Sequence, residues 1–279
     1  MNVCVAHIEG GEITGTIDES IRHAITKLSH LHFVCTEEAR QRVVSMGEKE
    51  AQVIHTGCPA MDIIINLDLS TGNQIQSFWD SQAKWEMKGV TEGGFIIVSH
   101  HPVTTDIEQS LKEFDIITDA ILKLEIPTVL LFPNVDAGSK DMVRMVRLKG
   151  VEKAGYVTCH KHIPFETYMR LLATSRCLIG NSSAGIREAG AFGTPSINIG
   201  TRQSSRAHGE SVLDLPAVTL PELLSAIESH GQKRFPKDLR YGQGNATKVM
   251  LQHLKSVDVK ATQKRFEDNG ISLLASLSN

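Results

Sequence analysis

Most of the residues able to do chemistry stand in four polar loops, each directly after an apolar run of strand length. The first loop reads His7-Ile8-Glu9-Gly10-Gly11-Glu12 and continues through Gly15 to Asp18, Glu19, Arg22 and His23. Its glycines allow a tight backbone approach, and Asp18 and Arg22 fall one helical turn apart. Carboxylates so placed can take or deliver a proton. The blander alternative is a solvated helix start with an acidic cap. The second loop, Ser99-His100-His101-Pro102-Val103-Thr104-Thr105-Asp106, offers near-neutral proton donors ahead of a helix that Asp106 can cap. Adjacent histidines rarely point the same way and no HxxxH spacing accompanies them, so no metal set is expected.

The third loop runs from Phe132 through Asn134 to Ser139, again between a strand pattern and a helix pattern. The fourth, Ile179-Gly180-Asn181-Ser182-Ser183-Ala184-Gly185-Ile186-Arg187-Glu188, places small residues and two hydroxyls at a helix start. Free N–H groups there suit an anion, although ordinary serine capping would use the same residues. Glu188, about a turn further on, would repel phosphate but could accept two sugar hydroxyls, so the pair points to a nucleotide.

Other chemistries are excluded by what the chain lacks. No GxGxxG with an acidic partner follows a strand and no GxxxxGK[ST] occurs, which argues against dinucleotide and P-loop sites. The 29 Lys+Arg against 32 Asp+Glu leave a net charge of -3, too little for a general nucleic-acid footprint. The five cysteines are odd in number, widely spaced and without a CxxC pair, so a disulfide framework is not expected and a reducing compartment is. The opening MNVCVAHIEGG has no basic n-region, and no uncharged apolar run reaches the roughly 18 residues of a membrane span, so a cytoplasmic protein with no membrane partner is the expectation.

The elements that must hold these loops alternate in a βα rhythm. Strand patterns cover 2–6, 31–34, 52–55, 95–98, 128–132, 156–159, 177–179 and 196–199; helix patterns cover 18–29, 37–46, 107–124, 140–149, 165–174 and 185–192. Between about 66 and 91 the rhythm lapses, with Ile75, Phe78, Trp79 and Trp85 suggesting a helix and a connection. Short apolar strands each followed by a helix belong to parallel sheets covered on both faces. The reading is therefore α/β, with two Rossmann-like domains facing a cleft. The expected boundaries are 1–90 for the remainder of a first domain, 91–258 for a second, and 259–279 for a tail containing a short helix near 271–277.

The loop motifs resemble those of the hydrolysing UDP-N-acetylglucosamine 2-epimerases of sialic-acid pathways. The likeness rests on HIEGGEITGTIDESIRHAITKL from His7, HPVTTD from His101, FPNVDAGS from Phe132, KHIPF from Lys161, GNSSAGIREAGAFGTP from Gly180 and INIGTRQ from Ile197. It implies a glycosyltransferase-B-like fold and conversion of UDP-N-acetylglucosamine and water into UDP and N-acetylmannosamine, with no cofactor and no metal. It also implies Glu9, Asp18 and His101 as catalytic residues, and Asn134, His162, Ser182, Ser183, Glu188 and Arg202 as contacts to the substrate and UDP. Arg22 and His23 are weaker candidates beside the hexose, and a homo-oligomer is expected. Family members carry about a hundred residues ahead of HIEGG, so the first domain is expected to lack its opening strands. A non-hydrolysing epimerase, a glycosyltransferase of the same fold and a UDP-binding remnant are the competing readings.

Overall fold

The computed structural model describes residues 3–14, 17–69, 72–82, 84, 87, 90–260, 262–265 and 267; Trp85 and the expected helix near 271–277 lie outside them. In chain order the strands are β1 (Ala6–Ile8), β2 (Leu31–Val34), β3 (Val53–His55), β4 (Ile96–Ser99), β5 (Thr128–Leu131), β6 (Val157–His160), β7 (Leu178–Gly180), β8 (Ser196–Ile199) and β9 (Val212–Leu215). The helices are α1 (Ile17–Leu28), α2 (Glu37–Ser45), α3 (Pro59–Ile65), α4 (Gly72–Asp80), α5 (Ile107–Leu124), α6 (Ser139–Leu148), α7 (Phe165–Thr174), α8 (Glu188–Phe192), α9 (Leu220–Ser229) and α10 (Ala246–Leu254). None of the helices among the described residues is long and apolar enough to cross a membrane.

The chain divides into two compact units, one of residues 1–13, 17–66 and 240–279 and the other of 14–16 and 67–239. These bounds differ from the expected division near 90, and the last helix joins the first unit rather than the second. Contacts made at a distance in sequence explain the return. Asp62 on α3 accepts the backbone N–H groups of Ala246 and Thr247 at 2.9 and 2.8 Å, which caps α10 with a carboxylate. Ala246 and Met250 then pack on Leu31 and Phe33 of β2.

In the first unit β1, β2 and β3 form a parallel sheet in that order. Val34 and Val53 face Ala39 and Val43 of α2, so α2 and α10 supply separate clusters for the short sheet. The opening strand is shorter than its apolar pattern. Val3 and Val5 lie outside β1 and are exposed, and the Val5 amide is taken by the His30 ring at 3.1 Å instead of a strand neighbour.

The second unit is a six-stranded parallel sheet in the order β6-β5-β4-β7-β8-β9. That is a doubly wound order whose direction reverses between β4 and β7. Ile96, Val98, Leu130, Ile179 and Ile197 share one core with Phe114, Ile117 and Ile121 of α5 and Leu223 and Ile227 of α9. Asp106 caps α5 by accepting the Gln109 N–H at 3.3 Å, as its position suggested. The expected helix over 185–192 instead splits into a 3-10 turn at Ser183–Gly185 and the five-residue α8, ended by Gly193 in the left-handed region. A Cβ on Gly185 would stand 2.3 Å from the Ser196 hydroxyl.

Candidate functional site

The reversal between β4 and β7 is where an open parallel sheet leaves a crevice beyond its strand ends. Gly180, the last residue of β7, has φ 132°, and a Cβ there would lie 2.2 Å from the Ser99 carbonyl oxygen at the end of β4. Only glycine allows the two strands to end this close. The loops that follow are then clamped together. The His101 N–H donates to Asn181 Oδ1 and the Asn181 amide donates back to the His101 carbonyl, both at 2.8 Å. Arg202 and Gln203 donate to the Asn181 carbonyl at 3.1 and 3.0 Å.

Around this clamp lies a cavity of about 310 Å³, a size suited to a small ligand. His101, Asn134, His162, Ser182, Ser183 and Arg202 all line it, so six of the residues singled out from sequence meet at one place. Ser99, Lys161 and Tyr168 line it as well and had been given no role. Lys161 and Arg202 bring positive charge, and the serine hydroxyls bring donors, so the cavity is chemically suited to an anion. Ser182 also accepts the Ala184 N–H at 3.3 Å, so part of its capping role is real.

The His101 ring is held by its neighbours in one protonation state. The Asn134 N–H donates to its Nδ1 at 3.4 Å, which leaves the ring proton on Nε2, 3.4 Å from the Ser99 hydroxyl. Burial, with Arg202 and His100 adding repulsion, lowers its pKa to about 4. The imidazole is therefore neutral at pH 7, and a bound anion would oppose the Arg202 charge and raise its proton affinity. Nearby, the Tyr168 hydroxyl is buried without a hydrogen-bond partner among the described residues, and burial together with the Glu188 charge raises its pKa. Glu188 opens α8 and is half-buried, so Tyr168 and Glu188 mark one polar corner of this unit.

A second cavity, of about 250 Å³, belongs to the first unit and is lined by His7, Ile8, Glu9, Asp18, Ile21, Arg22 and Ile25. Glu9 sits at φ 65°, an uncommon conformation for a side chain other than glycine, and its N–H donates to the Phe33 carbonyl at 2.8 Å. Gly11, at φ 77°, packs so closely on α2 that a Cβ would stand 2.4 Å from the Ala39 carbonyl oxygen. The Cys58 thiol donates to Glu9 Oε1 at 2.7 Å, and Arg22 donates to the Glu12 carbonyl at 3.0 Å. His7 bonds Thr26 at 3.1 Å, and burial, with Arg22, lowers its pKa. His23 is outside this lining, with Nε2 3.6 Å from Glu19 on the same helix.

Asn181 and Tyr168 are among the residues that loop reading passed over. A signal was available for each, since Asn181 lies within GNSSAG and Tyr168 falls three residues after Phe165 on an amphipathic helix. The sequence model of UDP-N-acetylglucosamine 2-epimerases matches residues 1–255. The chain belongs to that family. Among curated epimerases it is 33% identical over 261 residues to the UDP-N,N'-diacetylbacillosamine 2-epimerase (hydrolyzing) of Legionella pneumophila, covering 92% of this chain and 66% of the relative. It is 35% identical over 216 residues to the UDP-N-acetylglucosamine 2-epimerase of Neisseria meningitidis serogroup B, covering 75% and 52%. The chain thus spans between about half and two thirds of these relatives. In fold it is similar to the Methanocaldococcus jannaschii epimerase solved with UDP-GlcNAc and UDP, with a TM-score of 0.71 at 16% identity over 91% of this chain and 69% of that one. The Neisseria meningitidis enzyme bound to UDP-GlcNAc gives 0.69 at 18% identity, over 91% and 70%. An α/β fold on parallel sheets agrees with the expected class.

Proposed function

We propose that this epimerase-family chain acts as a hydrolysing 2-epimerase, taking UDP-N-acetylglucosamine and water to UDP and N-acetylmannosamine. The observation that carries the reading is the cavity at the β4/β7 reversal, where cations, hydroxyl donors and a neutral histidine surround space for a nucleoside diphosphate. In the first half-reaction a carboxylate takes the C2 hydrogen as a proton, the C1–O bond breaks, and its electrons leave on the β-phosphate of UDP. Glu9 and Asp18, which line one cavity, are the carboxylates for this step and for orienting water.

Lys161, Arg202, Ser182 and Ser183 stabilise the departing diphosphate, while His101 gains proton affinity from that charge and donates to it. Glu188 accepts the ribose hydroxyls. Hydration of the C1=C2 double bond then returns a hydroxyl to C1 and a proton to C2 on the opposite face. The name of the Legionella relative favours a second substrate, a UDP sugar acetamidated at two positions. Product analysis by NMR with both nucleotide sugars tests the proposal. Free 2-acetamido sugar together with UDP, and deuterium at C2 in heavy water, is the expected result. UDP-N-acetylmannosamine as the product would replace it with the non-hydrolysing reaction.

A further inference from the structure

Three side chains at the strand ends of the first unit bring unlike donors to one point. Glu9 follows β1, Cys35 follows β2, and Cys58 follows β3 by three residues. Their donor atoms, one carboxylate oxygen and two sulfurs, all lie within 4.8 Å of one another. Both cysteines are 1% exposed, whereas Glu9 is half-buried and lines the cavity described above. The backbone holds the sulfurs in place. The Cys35 carbonyl accepts the His55 ring at 3.0 Å, and the Cys58 N–H donates to Tyr241 at 2.7 Å.

We propose that Glu9, Cys35 and Cys58 form a site for one thiophilic divalent cation of the zinc class. Tetrahedral coordination with metal–sulfur bonds of about 2.3 Å and metal–oxygen bonds of about 2.0–2.2 Å spaces the donors by roughly 3.5–3.8 Å. Small side-chain rotations cover the difference from 4.8 Å. Two thiolates select a borderline-soft cation over magnesium or calcium, and the half-buried Glu9 side leaves a fourth position for water. Binding releases the two thiol protons to solvent as two metal–sulfur bonds form, with no redox change. Cys177 and Cys159 belong to no such cluster among the described residues, and burial pushes their thiols up to about 12 and about 11. The consequence for turnover rests on the reaction proposed above, since a cation holding Glu9 takes that carboxylate away from C2.

Cobalt titrated into the reduced 279-residue protein without air tests the site by its thiolate-to-cobalt absorption. The expected band saturates at one cobalt per chain, disappears in Cys35→Ser and in Cys58→Ser, and needs about tenfold more metal or beyond in Glu9→Gln, a loss no smaller than that from outer-shell changes. Calorimetry of zinc binding in two buffers of different ionisation enthalpy should report up to two protons released. Cadmium-113 NMR of the unaltered protein needs no variant to fold, and its shift should show two sulfur ligands. Absence of a sulfur band, a band that survives loss of either cysteine, or a cadmium shift showing no sulfur overturns the proposal. Zinc should also lower kcat in the parent protein and spare Cys35→Ser. If the cobalt band is present but no epimerase turnover exists, the site stands and the proposed reaction falls.

Discussion

The two units hold their candidate residues by different physics. In the second, the cavity residues stand at the reversal of six parallel strands, over a core shared by five of them with α5 and α9, and Asn181 ties the two central loops together at backbone level. In the first, three short strands carry small apolar clusters, and a charged group does part of the work that apolar packing does in the other. Glu48, 1% exposed, meets Lys27 at 2.6 Å, Lys264 at 2.5 Å and His32 at 3.0 Å. Lys264 also donates to the carbonyls of Thr26, Lys27 and Ser29, which satisfies the end of α1. Ile8, Ile21, Ile25 and Leu28 remain exposed on the same unit, Leu28 by 74%. A sheet interior can fix a binding pocket by packing, whereas carboxylates beside an edge strand depend on polar contacts and on an uncommon backbone at Glu9.

The largest expected effect falls on chemistry rather than binding in the first unit. Glu9→Gln and Asp18→Asn should each lower kcat by roughly 10²- to 10⁴-fold, the scale of a positioned acid or base. UDP affinity measured by calorimetry should stay within about threefold. A collapse of UDP binding in either variant would erase the division of labour. Next, Glu48→Ala should destabilise the first unit by about 1–3 kcal/mol, because it leaves the buried His32 ring without its hydrogen-bond partner and two partly exposed lysines without their anion. Hydrogen exchange should then quicken over β2 while β4 and β7 keep their protection. Uniform loss across both units would break the comparison.

Smaller effects test the second unit alone. Glu188→Ala should weaken UDP by about 2–5 kcal/mol if its ribose contacts are desolvated, and Ser182→Ala should weaken UDP more than uridine. Equal losses for UDP and uridine in the serine variant would move Ser182 away from the diphosphate. A pH dependence is expected in both units. Burial lowers His32 to about 4, against the pull of Glu48, and His101 to about 4. Above the ordinary histidine value near 6.5 neither the folded nor the unfolded chain is protonated there. Between about 6.5 and 4 the unfolded chain binds protons that the folded one refuses, so stability falls as pH falls through that window. Thermal melts should show this slope, reduced in His32→Gln. Saturating UDP should reduce it further through His101 by raising that proton affinity, and an unchanged slope with UDP would separate His101 from the diphosphate.

Much of this was legible from local pattern. Leu31–Val34, Ile107–Leu124, Phe165–Thr174 and Ser196–Ile199 form with the bounds that periodicity suggests, since apolar spacing and caps act over a few residues. The polar loops after strands were readable for the same reason, and His101, Asn134, Ser182 and Ser183 from them share one cavity with His162 and Arg202, which the family resemblance supplied. α3, β9, α9 and α10 were passed over, although Thr219 and Glu222 make a capping box that announces α9. Their amphipathic signals are short and lie among polar turns, so local periodicity is weak there.

What only the tertiary structure decided depends on groups far apart in sequence. Strand order places the loop after β4 beside the loop after β7, some eighty positions later, and thereby pairs His101 with Asn181. Burial and the Arg202 charge make His101 neutral, a property that the bare residue type leaves open. The capping of α10 by Asp62 assigns residues 240–279 to the first unit, and the convergence of three strand ends sets two thiols beside Glu9. Local sequence determines where strands, helices and turns fall because those preferences are set by neighbouring residues. Partners, protonation and pockets are set by which distant surfaces exclude water together, and that is decided only when the sheets assemble.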